Sequence, residues 1–236
     1  MNNINNSPNQ RYAAIIGDIV NSRKIENRNE IQKRLKNLLD DINKKYHEYI
    51  ASKFIITLGD EFQGLLKTPD KAIEIISYIE IGLLSVEVRF GIGIGAISTD
   101  INYENSSEVD GPAYHRAREM ISRIECIEKQ YTERISNVMI SSTDDKHQSK
   151  NYCIDELLNS ILSVCTALKS KWTERQKEII LTYLSNGQNQ YKTANALSIG
   201  QSSVNKALKS AKYYTYKYAM ETIEKYLSEF GRENYV

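Results

Sequence analysis

Two aspartates have the residue type and setting to do chemistry in this sequence. Asp18 follows Gly17 at the edge of the apolar run RYAAIIGDI, and Asp60 follows Gly59 in LGDEF, beside FIIT. Carboxylate and carbonyl oxygens are the donors that Mg²⁺ or Mn²⁺ prefers, and magnesium is commonly held by one or two carboxylates plus substrate phosphates. The expected ligand set is Asp18, Asp60, the Ile19 carbonyl and Glu61. The loop after Asp18 presents backbone N–H groups and the side chains of Asn21, Ser22, Arg23 and Lys24 to the oxygens of a nucleotide phosphate. Such a site would activate an attacking oxygen and neutralise phosphate charge during in-line transfer. The plainer reading is that aspartates at strand ends and hairpins are turn residues. What separates the two readings is whether the carboxylates meet in space.

The elements around them give an expectation. Residues 11–19 read as a buried strand. From about 26 to 50, Ile31, Leu35, Leu38, Leu39, Ile42, Tyr46 and Tyr49 form one stripe of an amphipathic helix. Residues 53–58 and 61–66 read as a hairpin about Gly59–Asp60. Thr68-Pro69-Asp70 opens a second helix carrying Ile73, Ile76 and Ile79, and residues 86–94 form a fourth strand. The order β-α-β-β-α-β is a ferredoxin-like, α+β arrangement. A right-handed crossover makes the first two strands parallel, with the third between them and antiparallel to both. Asp18 and the Asp60 hairpin then fall at the same end of the sheet.

In the fourth strand Gly91, Gly93 and Gly95 alternate with Phe90, Ile92 and Ile94, so one face is bare and invites close approach by a helix or a ligand. Asp110-Gly111-Pro112 opens a helix with Ala117, Met120, Ile121 and Ile124 inward and His115, Arg116, Glu119 and Arg123 outward. His115, Arg116 and Arg118 are candidates for a phosphate clamp, or residues of a solvated face. Residues 138–140 read as a last strand. The polar stretch 141–150 reads as a boundary, and 155–168 as a connecting helix.

Beyond it the character changes. Thr173 is placed as an N-cap with Gln176 completing a capping box, and Asn186-Gly187 ends that helix. Ala194, Leu197, Ile199, Val204 and Leu208 then follow the packing pattern of a helix-turn-helix, although glycine is commoner at the position of Ser198 and here comes at Gly200. Its second helix would enter a DNA major groove by its N-terminal end, with Gln201, Ser202, Asn205 and Lys206 as base readers. From Lys171 onward ten basic residues face six acidic ones, an excess of four in a chain whose net charge is +1. The other reading is an oligomerisation tail, for which Tyr213, Tyr214, Tyr216, Tyr218 and Tyr226 on a long last helix are suited. Both can hold, because such modules usually bind as dimers.

IIGDIVNSR, ITLGDEFQGLL and VRFGIGIG, in that order and spacing, resemble the palm of class III nucleotidyl cyclases and GGDEF-type domains. YAAIIGDIVNSRKI, TLGDEFQGLL, RFGIGIG and DGPAYHRAR, followed by the helix-turn-helix pattern, resemble the SatD family of bacterial proteins over most of the chain. The cyclase resemblance implies Asp18 and Asp60 as metal ligands. It departs further on: His115 stands where those cyclases have Asn, Glu119 where they have Arg, Ile56 where an adenine-selecting Lys is usual, and Leu58 where GGDEF enzymes have a first glycine. Metal binding tolerates these departures better than cyclisation does.

At 236 residues the chain is long enough for one large domain or two smaller ones. The expected division is a flexible N-terminus (1–10), a cyclase-like ferredoxin-fold domain (11–141), a linker and connecting helix (142–170) and a helix-turn-helix DNA-binding domain (171–236). Three cysteines without C-x-x-C spacing argue against a disulfide framework or zinc site and fit a cytoplasmic protein. The sequence has no signal peptide and no uninterrupted apolar span for a membrane. The reading is a DNA-binding regulator, expected to be a homodimer, whose cyclase-like domain binds Mg²⁺ or Mn²⁺ and a nucleotide. The alternatives are a Mg²⁺-dependent nucleotidyl cyclase or nucleotidyl/phosphoryl transferase with a dimerising tail, and a palm that serves only as scaffold.

Overall fold

The computed structural model describes residues 10–83, 86–143 and 150–233. Residues 1–10, read above as a flexible N-terminus, lie outside that set apart from Gln10, as does most of the boundary stretch 141–150.

The organising element is a five-stranded sheet in the order β2-β3-β1-β4-β5, with β1 Tyr12–Ile19, β2 Ile50–Leu58, β3 Glu61–Leu66, β4 Val88–Gly95 and β5 Val138–Ser141. β3 lies between β1 and β2, antiparallel to both, as the crossover argument requires. β4 is antiparallel to β1, and β5 extends the edge parallel to β4. β1 is central and covered on both faces, which is why its sequence is a nearly continuous apolar run rather than an alternation.

Helices α1 (Arg28–Lys45) and α2 (Ala72–Gly82) cover one face. There Ile15, Phe62, Phe90 and Ile92 meet Leu35, Ile42, Ile76 and Ile79. The first helix is shorter than the 26–50 expected from its stripe. It ends where the Tyr46 amide bonds the Ile42 carbonyl, and Ile50 and Ser52 are claimed by pairing with Leu66 and Leu65 of β3. Residues 46–49 form the turn between, with Tyr49 at the surface.

Helix α3 (Pro112–Tyr131) covers the other face, and the bare side of β4 is explained by it. A Cβ on Gly91 would lie 2.0 Å from the Ala117 carbonyl oxygen, and one on Gly93 2.0 Å from that of Ala113. The approach is backbone against backbone, so the close neighbour is a helix. Two of the four α3 residues expected to face outward do not. Arg116 donates to the Ile94 and Ser142 carbonyls, and Arg123 forms a forked pair with Glu156. Both guanidiniums find partners beside β5 and α4 (Lys150–Ser170), elements whose position the helix periodicity alone does not give.

The remaining helices are α5 (Glu174–Ser185), α6 (Gln190–Ala196), α7 (Gln201–Ser210) and α8 (Tyr213–Glu233). Thr173 and Gln176 make the expected capping box at the start of α5. Ile179, Ile180, Tyr183, Ala194, Val204 and Leu208 form a small core of their own. Ser198, in the α6–α7 turn, takes the left-handed conformation at φ 53° that glycine would take without steric cost. Helix α8 then turns back: Met220, Ile223, Leu227 and Phe230, spaced along one face, are buried in the same core as β1 and α2. A cleft of about 650 Å³ lies between α2 and these helices, with Tyr46, Ser77, Trp172, Tyr213 and Tyr216 on its walls. Among the described residues no helix is long and apolar enough to cross a membrane.

The β4–α3 contact sets a testable constraint. Gly93→Ala forces a methyl group into the α3 backbone and should destabilise the protein by about 1–3 kcal/mol, measured by urea denaturation. Wild-type stability in that variant would mean that α3 does not sit this close.

Candidate functional site

Asp18 is the last-but-one residue of β1, and the sheet register places Glu61 of β3 on one side of it and Arg89 of β4 on the other. Directly opposed residues of antiparallel strands share a face, so all three side chains lie on the α3 side. Asp60 occupies the hairpin between β2 and β3, where Gly59 adopts φ +56° and allows a tight reversal. The Ile19 amide bonds the Asp60 carbonyl at 3.2 Å, which fastens the end of β1 to the hairpin. The expected neighbours are therefore brought together.

Each carboxylate has a defined partner. Asp60 accepts a short hydrogen bond from the Ser22 hydroxyl, itself buried in a 3₁₀ turn over Ser22–Lys24. Asp18 accepts from Arg89 Nη1 at 2.9 Å. Burial pushes the Asp18 carboxyl above the ordinary aspartate range. Arg89 opposes that shift, while the charges of Asp60 and Glu125 add to it. The Asp60 charge is thus felt at Asp18.

Around them the other site candidates divide. Asn21 begins the turn in the left-handed region at φ 52°, and Asn21, Arg23 and Lys24 are exposed beside Ser22. Glu61 turns toward α3, where Arg118 grips it with two bonds of 3.0 and 3.2 Å. Arg116 lies elsewhere. Its guanidinium sits at the Ile94 carbonyl, and Ile94 pairs with Ala13, five residues along β1 from Asp18 or roughly 17 Å at the rise of a strand. His115 is exposed and lies 3.1 Å from the Asp110 carboxylate. The three α3 candidates therefore do not form one clamp.

Sequence reasoning missed Arg89 and its surroundings. Besides Asp18, its Nη1 donates to Glu125 at 3.2 Å, and its Nη2 to Glu128 at 2.9 Å. Glu128 also accepts from Arg134 at 3.1 Å, and Arg134 reaches Glu87. The Glu87 carbonyl in turn takes the Val20 amide at 2.9 Å, so the chain of ion pairs closes on the loop that follows Asp18. The signal was present in VEVRFGIGIG: Arg89 has the same parity as Gly91 and Gly93 and so belongs on the same face.

As a metal site the donor set is sparse. Among the described residues no cluster of three or more His, Cys, Asp or Glu side chains is arranged to hold a metal ion. Two carboxylates at the same end of the sheet, close enough for the Asp60 charge to be felt at Asp18, are donors of the type a hard cation takes alongside water and phosphate. Glu61 is held by Arg118 and accepts from the Thr57 hydroxyl at 3.2 Å.

At Glu128, burial raises the carboxyl pKa, but Arg134 and Arg89 outweigh it and hold it below the usual range. A lowered folded-state pKa gives stability that is full above the ordinary glutamate value and is lost as pH falls through the depressed one. Glu128→Gln should cost about 1.5–3 kcal/mol at neutral pH, with the gap to wild type closing in acid. Denaturant titrations over a pH series check this, and a pH-independent gap would contradict the ion-pair account.

The sequence matches the model of the SatD family over residues 12–226. No curated protein matches it. Among solved structures, the guanylate cyclase domain of RhGC from Catenaria anguillulae in complex with GTP is 18% identical, covering 48% of this chain and 72% of that one at a TM-score of 0.35. A bacterial light-regulated adenylyl cyclase is 16% identical, covering 60% of this chain and 46% of that one at 0.39. A regulator of polyketide synthase expression from Bifidobacterium adolescentis is 12% identical, covering 95% and 84% at 0.26. Likenesses this weak assign no activity.

Proposed function

This chain belongs to the SatD family, and from that premise we propose that it is a DNA-binding regulator whose sheet domain takes up a divalent metal and a nucleotide beside Asp18 and Asp60. The observation that carries the DNA half is the two-sidedness of α7. Val204 and Leu208 are wholly buried against α5 and α6, while Ser202 and Lys206 are exposed, with Gln201 and Asn205 half-buried at the same end. A short helix held by its apolar side, with amide, hydroxyl and ammonium groups facing out, suits major-groove reading. In this reading α5–α7 are a helix-turn-helix unit, residues 171–236 carry the DNA contacts, and two copies act together.

The metal half is supported by the convergence of Asp18 and Asp60 under the Ser22–Lys24 turn. Held there, Mg²⁺ or Mn²⁺ would neutralise phosphate charge. Ser22 holds the Asp60 carboxylate in place, and Arg23 and Lys24 offer exposed cations to the outer phosphate oxygens. The two halves are joined by α8, which leaves α7 after Ala211–Lys212 and packs into the sheet domain's core.

Fluorescence polarisation with labelled genomic fragments tests the regulator reading. Affinity should fall as salt rises. Lys206→Ala should weaken binding and reduce the salt slope by about 1. A nucleoside triphosphate with Mg²⁺ should shift DNA affinity in wild type but not in Asp18→Ala. Absent or salt-insensitive binding to every fragment would overturn it.

The same convergence of Asp18 and Asp60 favours a second reading, metal-dependent nucleotidyl or phosphoryl transfer. That reading expects product from ATP or GTP with Mg²⁺ or Mn²⁺, lost in Asp60→Asn. Chromatography showing no product from any of the four common triphosphates would sink it.

A further inference from the structure

Arg89 is the one cation in direct contact with Asp18 among the described residues. Its side chain is only 14% exposed, and its guanidinium is held unevenly. One edge is fixed, with Nε and Nη2 both directed at Glu128 Oε2 at 3.3 and 2.9 Å. The other edge is shared: Nη1 donates to Asp18 Oδ2 at 2.9 Å and to Glu125 Oε1 at 3.2 Å. Strand pairing sets the first of these acceptors, and α3 supplies the other two.

From this geometry we propose that Arg89 is a resident counter-charge for Asp18 that yields to a divalent metal by giving up Asp18 and keeping Glu125 and Glu128. The inference rests on the metal-binding reading above and concerns how that site is regulated. A metal and a guanidinium compete for the same carboxylate, because two cations on one oxygen pair repel. An arginine bound to Asp18 alone would have to be stranded in a partly buried setting, which is costly. Here Glu125 already accepts from the same nitrogen, so Asp18 can be released without leaving the guanidinium unpaired.

Within the ion-pair network itself the balance is acidic: Arg89, Arg118 and Arg134 face Asp18, Glu61, Glu87, Glu125 and Glu128. The displaced edge of Arg89 moves toward α3, and Glu128 connects it to Arg134 and then to Glu87 at the base of the 20–24 loop. Metal arrival is thereby felt at α3 and at the loop that faces phosphate.

The test is Mn²⁺ titration of the full chain, with free Mn²⁺ read by electron paramagnetic resonance and heats read by calorimetry. Wild type should bind, and Asp60→Asn should abolish binding. Arg89→Met should bind at least about fivefold more tightly, because the competitor is gone. Glu125→Gln should bind more weakly than wild type, because the displaced guanidinium loses its second charged acceptor. A folded Arg89→Met, judged by circular dichroism, that binds Mn²⁺ no more tightly than wild type overturns the proposal while leaving the metal reading intact. If Arg89→Met does not fold, Glu125→Gln decides: unchanged or tighter binding overturns it. Wild type that takes up no Mn²⁺ overturns the metal reading and this inference with it.

Discussion

The contact on which the rest of the structure depends is that of α3 against β4 at Gly91 and Gly93. With its carbonyls 2.0 Å from where a Cβ would be, α3 lies closer to the sheet than any side-chain-bearing strand would allow. That depth decides what the far half of the helix can reach. Glu125 and Glu128 meet Arg89, and Arg118 meets Glu61, because the helix axis is low over the strand ends. A helix held a side chain higher would leave those charges in water, where ion pairs contribute little. The carboxylate site therefore depends on residues that carry no functional group.

Much of this arrangement could be read from the chain because topology rules are strict. Once the β-α-β-β order is accepted, handedness places Asp18 and the Asp60 hairpin together, and they are together. The alternation of glycine in β4 correctly announced a close neighbour. What escaped were contacts that depend on lateral position. His115, Arg116 and Arg118 are adjacent in sequence, but a helix turns about 100° per residue, so Arg116 and Arg118 leave α3 on nearly opposite sides. One serves the β5 edge and the other serves β3. The length of the first helix was overread for a related reason: an apolar residue in a turn or an adjoining strand can match a helical stripe by chance.

The C-terminal helices read as a separate unit in sequence, and they enclose a small core of their own. Periodicity did not say that α8 would pack elsewhere. Its apolar face fits a long amphipathic helix equally well against a second copy or against the same chain. Met220, Ile223, Leu227 and Phe230 take the second course here and join the core built on β1. The tyrosines divide accordingly. Tyr213 is buried beside Trp172 and Tyr183, while Tyr218 is 74% exposed.

Trp172 packs on the core of the C-terminal helices. Its indole N–H donates to the Ala211 carbonyl at 2.8 Å, and its ring packs edge-on against Tyr216 with centroids 5.2 Å apart. It is the only tryptophan in the chain, and it borders the cleft between α2 and α8. Excited selectively, the protein has a single indole emitter, and that emitter borders the cleft. Light from the folded chain therefore reports on the packing of the C-terminal helices beside that cleft, without a label having to be introduced.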